Sequence, residues 1–465
     1  MDCKVRAAKW TRACALMSCC GLLVICAALL TAGGCAPADN GPMVDDVSPR
    51  PAEDATVGDA AGDSGDSDAP ASSDGPAQVG GDATGDKPPK TEPLPDPTPH
   101  LLGEADLADG WIALFDGVSL YGWSEQKGDA NWRVEDGVIV VDEGDEGFLT
   151  TNTSFSDYRL KVDFRAAEGT NSGIFLHTPK VPTDPESDCY ELNIAPADNP
   201  FPTGSLVKRQ KVEGDHTSAD WQTFEVTVLG NTVIVLLDGQ EVMDYTDENP
   251  LGRGYIALQH REGKVEFRNI KLKPLELTPM FNGEDLTGWS EHGDSEFTIN
   301  DDGELHVAGG KGWLESDTAL GDFVLQLECK TNAEGLNSGV FFRCIPGEEM
   351  NGYESQIHNG FKDRDRSNPV DAGTGAIFRR TTARRVMGDD NVWVYKTIIA
   401  DGPHIAVWVN GFQVTDWTDE RQVDANPRRG LRLEPGTVQI QGHDPTTDVL
   451  FRNLRQREQP RRSEP

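Results

Sequence analysis

The sequence predicts an all-β protein of two tandem sandwiches behind a long stretch that has no core of its own. Three observations lead there. One set of landmarks occurs twice in the same order, each copy alternates polar and apolar residues with the period of a strand, and residues 36–100 carry almost no large apolar side chain.

The chain opens on Lys4, Arg6, Lys9 and Arg12, a positive segment before the apolar run Ala13 to Leu30. This is the pattern of a secretory signal, although the run is also long enough to span a bilayer as an anchor. Thr31-Ala32-Gly33-Gly34-Cys35 resembles the bacterial lipobox, with Ala32 where Leu is usual. The resemblance implies acylation of Cys35, which would hold an exported protein on a membrane surface of the cell envelope. Without acylation the protein would be secreted. Two acyl chains or more are needed for that hold, since one binds only marginally.

From Ala36 to about His100 the residues are mainly Asp, Gly, Ala, Ser and Pro, and only Arg50, Lys87 and Lys90 oppose the carboxylates. Such a segment cannot bury enough surface to offset its ordering entropy, so it is expected to be a disordered acidic linker. The net charge of −36 argues against a phosphate-neutralising nucleic-acid surface, because that binding is driven largely by Lys and Arg. Of nine cysteines, Cys189, Cys329 and Cys344 alone follow the linker. That is no disulfide framework; Cys329 and Cys344 end neighbouring expected strands and either pair or stay as buried thiols.

Beyond Leu101 everything is doubled. Phe115-Asp116-Gly117 with Gly122-Trp123-Ser124 recurs as Phe281-Asn282-Gly283 with Gly288-Trp289-Ser290, and one offset relates both Trp123 to Trp289 and Asn171 to Asn337. Leu237-Asp238-Gly239 answers Val409-Asn410-Gly411, and Phe267-Arg268-Asn269-Ile270 answers Phe451-Arg452-Asn453-Leu454. Tyr158 to Phe164, Thr223 to Val228 and Phe323 to Glu328 alternate as half-buried strands do. Val233 to Leu237 is continuously apolar, as a strand buried on both faces would be. Asp238-Gly239 and Asn410-Gly411 mark hairpin turns. Many short strands and no long amphipathic helix imply a two-sheet sandwich or jelly roll in each copy. The expected organisation is a leader over 1–35, the linker over 36–100, sandwiches over 101–275 and 276–456, and a tail over 457–465. Trp123, Trp289, Trp221 and Trp393 stand at equivalent places and are expected in the cores, while Trp313, Trp408 and Trp417 are freer to contact a ligand.

Each copy also repeats a strand pair. In the second, Asn337-Ser338-Gly339-Val340-Phe341-Phe342-Arg343 precedes Tyr353-Glu354-Ser355-Gln356-Ile357-His358. Alternation puts Glu354, Gln356 and His358 on one face and Tyr353, Ser355 and Ile357 on the other. The first copy offers a thinner polar row, Glu191 and Asn193, with His177 where the second has Arg343.

The doubled Phe-Asn/Asp-Gly…Gly-Trp opening, Asn131-Trp132-Arg133-Val134-Glu135-Asp136-Gly137, Asn-Ser-Gly-Ile/Val-Phe, Tyr-Glu-x-Asn/Gln and the closing Phe-Arg-Asn-Ile/Leu resemble the 3-keto-disaccharide hydrolase domain family over essentially all of the chain after Leu101. The resemblance implies concanavalin A-like jelly rolls and the cleavage of glycosides already oxidised to a ketone at sugar C3. A C3 ketone acidifies the C2 proton. A base can then remove it, the enolate expels the aglycone from C1, and water adds back. Such a site needs a base, donors for the enolate oxygen and an acid for the leaving group.

On that resemblance, Glu354 or His443 is the base in the second copy, with Gln356, His358, Arg343 and Arg379 around the sugar. Glu191, His260, Asn193, His177 and Lys208 are the first copy's counterparts, His260 in Leu258-Gln259-His260 answering His443 in Ile440-Gln441-Gly442-His443. The rival reading of Glu354 and the arginines is a set of structural ion pairs, and the rival for the protein is a non-catalytic carbohydrate-binding surface module whose duplication gives avidity. No cofactor is implied. No Cys/His group has zinc spacing, and no carboxylate run is specific enough to assign a structural Ca²⁺.

Overall fold

The computed structural model describes residues 101–460. The leader, Cys35, the linker and residues 461–465 lie outside the described residues. Within them the chain is β almost throughout, with one five-residue helix, Glu104–Ala108.

Each copy is a jelly-roll sandwich of an eight-stranded sheet on a five-stranded one. In the first copy the smaller sheet runs Trp123–Gln126, Gly147–Thr151, Tyr255–Glu262, Asn171–Thr178, Tyr190–Ile194. In the second it runs Trp289–Gly293, Gly312–Leu320, Gly436–Gly442, Ser338–Cys344, Tyr353–Ile357. Strand order is the same in both, as the shared order of landmarks requires. The last strand, Asp448–Glu458, continues past the expected boundary because Glu458 pairs with Phe323.

The cores form where alternation places apolar residues between the sheets. In Tyr158–Ala166 the residues Tyr158, Leu160, Val162 and Phe164 are buried while their neighbours are partly exposed. Trp123 and Trp289 are core residues, their indoles donating to Leu114 O and Met280 O. Trp221 and Trp393 are not; each lies half-exposed under a guanidinium, Arg268 at 3.9 Å and Arg452 at 3.9 Å from the ring centres. A strand's outer face offers a Trp this second solution, in which a cation covers the ring. Cys329 and Cys344 are free, buried thiols.

The two copies share one packed joint. Val324, Ile399, Ala406 and Trp408 of the second belong to the core cluster of the first, and the Trp408 indole donates to Ala113 O at 2.9 Å. Trp408 is thus removed from any ligand by the joint. This also explains a difference between equivalent strands. Thr232–Leu237, expected to be buried on both faces, alternates, whereas Ile405 to Val409 in His404–Val409 are all buried. Only the second strand has a neighbouring domain on its outer face.

Charge crosses the joint as well. Arg253 of the first copy reaches Asp322 at 3.0 Å and Asp401 at 2.5 Å, and Ser154 donates to Asp401 through both its amide and its hydroxyl. Arg384 of the second copy pairs with Asp116 of the first at 2.8 Å.

Candidate functional site

In the second copy, the outer face of the five-stranded sheet carries two rows of side chains. Cross-strand register places Glu315, Gln439, Phe341 and Glu354 side by side in one row, and Trp313 beside Gln441, with Gly339 beside Gln356, in the next. Phe341, Glu354 and Gln441 open onto a cavity of about 910 Å³. Its size suits a sugar of one or two rings.

Glu354 lies where alternation puts it. Gly339, in the repeated Asn-Ser-Gly, makes room for its side chain: a Cβ there would stand 2.7 Å from Glu354 Oε1. The motif glycine is therefore explained by a close approach, not by a turn. Burial pushes the Glu354 carboxyl up to about 7, and Asp371 adds to the shift; Lys396 and Arg379 oppose it. A carboxyl balanced near neutrality can both take and return a proton.

The walls are loops tied to the sheet. Gly347 N–H donates to both Glu315 oxygens at 3.1 and 3.2 Å, Met350 N–H donates to Gln439 Oε1 at 2.9 Å, and Gln439 Nε2 donates to Glu348 O at 3.1 Å. Glu315 also accepts from Thr437 Oγ1 at 2.6 Å and faces His292 at 3.4 Å. Opposite, the Thr-Gly-Ala loop runs along the free edge of Tyr353–Ile357: Gly375 N–H donates to Gln356 O and Phe378 N–H to Glu354 O. The first bond is 2.9 Å and the second 3.0 Å. Arg379 sits at the loop's turn with φ 61°, exposed to the cavity.

Beneath the sheet lies Lys396, which no sequence pattern signalled. It is fully buried, and its ammonium donates to Ser355 O at 2.8 Å and Gln356 O at 3.0 Å, on the strand that bears Glu354. Burial lowers it to about 8. Its register partner Val409 matches Leu237 beside Phe224 in the first copy, so Lys396 replaces a core phenylalanine. Phe224 stacks there on Phe164 at 4.6 Å; Cys329 stands in the latter's place.

Several expected residues lie elsewhere. Arg343 and His177 occupy equivalent bulges with φ 49° and 48°, and the bulge turns both side chains inward. Arg343 is wholly buried, bonded to Gly321 O, Gly402 O, Arg432 O and Asp322, so it anchors the joint and does not reach the cavity. His177 packs edge-on against Tyr158 and bonds to Ser156 O, and burial lowers it to about 4, so it stays neutral at pH 7. His358 follows the end of its strand and accepts from Gly360 N–H at 3.1 Å in a local turn. Gln356 is buried under the loop, donating to Asp371 O and Oδ2, and Asn193 likewise donates to Phe201 O.

The equivalence of His260 with His443 is also corrected. Gln259 pairs with Phe148 as Gln441 pairs with Trp313, so His260 matches Gly442 and Arg261 matches His443. His443 does line the cavity, with its ring Nδ1 2.8 Å from Asp444; His260 is buried on the opposite face from Gln259.

The first copy's corresponding face is closed. Thr150, Ala257, Phe175 and Glu191 replace Glu315, Gln439, Phe341 and Glu354. Phe148, Phe175, Ala257 and Cys189 pack into an apolar cluster, and Glu191 is only 6% exposed. Burial again pushes its carboxyl up to about 7. Lys208, the match of Arg379, is held by Asp184 at 2.8 Å. Among the described residues no group of three or more His, Cys, Asp or Glu is placed to hold a metal ion.

Residues 110–273 and 276–457 each match the 3-keto-alpha-glucoside-1,2-lyase-like domain. The chain belongs to this family. A 3-keto-disaccharide hydrolase of Bacteroides thetaiotaomicron is 24% identical over 233 residues, covering 36% of this chain and 80% of that protein. Among solved structures, a candidate glycosyl hydrolase of Parabacteroides distasonis is 22% identical, with a TM-score of 0.33 over 38% of this chain and 98% of its own. The carbohydrate-binding module CBM66 of Bacillus subtilis is 15% identical, with a TM-score of 0.27 over 33% of this chain and 95% of its own.

Proposed function

We propose that the second copy cleaves 3-keto-glycosides or related modified sugars by elimination across C1 and C2 followed by hydration. The observation that carries this reading is a carboxyl near neutrality, Glu354, on the wall of a cavity large enough for a sugar. Glu354 takes the C2 proton. The electron pair moves into the C3 carbonyl, where Arg379 offers positive charge to the enolate oxygen. As the C1–O bond breaks, His443, oriented by Asp444, gives a proton to the leaving oxygen. Water then adds at C1 and the C2 proton returns. Gln441 and Phe341 provide a polar contact and an apolar floor for the ring.

The test is release of aglycone from a 3-keto-glycoside. Glu354→Gln should lower turnover about a hundredfold, the scale of losing a general base, with the circular dichroism spectrum unchanged. Full turnover in that variant would reject the assignment, and glycan retention with no turnover in the unaltered protein would favour the carbohydrate-binding module.

The same proposal places the protein outside the cytoplasm, held on the membrane surface by lipid at Cys35. Its support is the charged and apolar leader ending in Thr31-Ala32-Gly33-Gly34-Cys35. Incorporation of labelled fatty acid that Cys35→Ser abolishes is the expected result. Label in both proteins, or in neither, would count against it.

A further inference from the structure

Of the four Lys and Arg side chains lining the cavity, Lys311 pairs with Glu349 at 2.8 Å, whereas the three arginines lack acidic partners. Arg379, Arg380 and Arg428 all line it. Among the described residues, none of the three has a carboxylate within ion-pair distance. Arg380 Nη2 donates to Pro427 O and Arg428 O, each at 3.2 Å, and Arg428 donates to Glu349 O at 2.9 Å. Carbonyl oxygens satisfy some of their donors but cancel no charge.

In the first copy the matching cations are neutralised. Lys208 pairs with Asp184, and Arg209 pairs with Asp247 at 2.8 Å, where Tyr190 OH also donates. The second copy keeps the tyrosine–aspartate part of this motif, Tyr353 OH donating to Asp419 at 2.8 Å. There, however, Arg421 takes the carboxylate in a two-pronged contact, at 2.8 Å through Nε and 2.7 Å through Nη2. Arg380 is displaced from the acid that its counterpart holds. Burial and the neighbouring Arg421 disfavour the charge on Arg380, Arg379 adds to this and Asp419 opposes it, so like charges stand close together at this rim. In a chain of net charge −36, a rim of unmatched arginines runs against the general field and would draw anions locally.

We propose that the sugar taken by the second copy is anionic, a glycoside carrying a carboxylate or a sulfate ester whose charge is met by Arg379, Arg380 and Arg428. The planar guanidinium suits either group, since both present paired oxygens to its fork of N–H donors. The inference rests on the reading of this cavity as the sugar site.

The experiment is calorimetric titration of the full chain with three matched ligands: a neutral glucoside, the corresponding glucuronide, and the glucoside sulfated at its primary hydroxyl. At low salt one or both anionic ligands should bind about tenfold tighter than the neutral one. That preference should shrink with added salt and disappear in Arg379→Gln/Arg380→Gln. Preference for the glucuronide alone or the sulfate alone identifies which anion is meant. Equal affinities, no binding of any of the three, or a preference unchanged in the double variant would overturn the proposal. Failure of the active-site reading shows separately, as 3-keto-glycoside cleavage that survives Glu354→Gln.

Discussion

The two copies have the same strands in the same order and a glutamate with a raised pKa at the same register, yet one presents a cavity and the other a sealed face. The difference comes from a few residues around a common frame. Glu315 and Gln439 tie a loop to the sheet as a wall of the second cavity. In the first copy Thr150 holds its loop only through Lys180 O, at 3.1 Å, Ala257 has no side-chain polar group to add, and Phe148, Phe175 and Cys189 close the gap. Family membership of both copies therefore does not make them equivalent: a shared backbone preserves the position of a carboxyl, while access to it depends on what the neighbouring side chains tie down.

Disabling each glutamate in turn should give the largest difference between the two copies. Glu354→Gln should cost about a hundredfold in turnover of a 3-keto-glycoside, whereas Glu191→Gln should stay within about twofold. A large loss from Glu191→Gln, measured under the same conditions, would show that the first copy opens and works.

The joint gives the next largest effect. Arg253→Met leaves Asp322 and Asp401 facing each other with less positive charge, and breaking a buried pair from one side costs about 3–5 kcal/mol. Denaturant unfolding should show this loss, with the two copies melting apart if the joint is what couples them. A loss below about 1 kcal/mol would mean that solvent or Arg343 compensates.

A third test exchanges cores. Cys329→Phe/Lys396→Phe installs the first copy's stacked pair under the second copy's site, and the first copy itself shows that the geometry accepts it. Removing the ammonium takes away a cation that favours the Glu354 carboxylate, so the acidic limb of the turnover profile should move to higher pH by up to about one unit. Asp371 and Arg379, the other charges acting on Glu354, remain. An unmoved profile in a folded variant would show that Lys396 serves only to hold the strand's carbonyls.

The smallest effect separates stability from activity. For a carboxyl raised in the folded state, the fold favours the neutral form, so its contribution is fully present below the unfolded value of about 4.5 and is lost as pH rises through about 7. Glu354→Gln and Glu191→Gln should therefore each raise stability by about 1–3 kcal/mol at pH 8 and by nothing at pH 4. Thermal melts at the two pH values check this, and equal changes at both would point to packing rather than charge.

Much of this was legible in the order of residues. Alternation put Glu354 on the outer face and Tyr353 and Ile357 in the core, since a strand's period depends only on its own backbone. It misplaced Arg343 and His177 because a bulge with positive φ reverses facing at one position, and nothing in either residue type signals that. The matching of His260 with His443 failed for a similar reason: Gly442 stands between Gln441 and His443 where Gln259 and His260 are adjacent, and strand register, not the spelling of the two segments, decides which residues correspond.

The duplication, the all-β class and the glutamate in each copy followed from the sequence alone, because periodicity and repeated landmarks are local properties. Tertiary structure decided which glutamate meets a cavity, that Lys396 lies under it, and that Arg380 has lost its aspartate to Arg421. Those facts depend on distances between segments far apart in the chain, where Coulomb energy and burial are set by neighbours that no local pattern names.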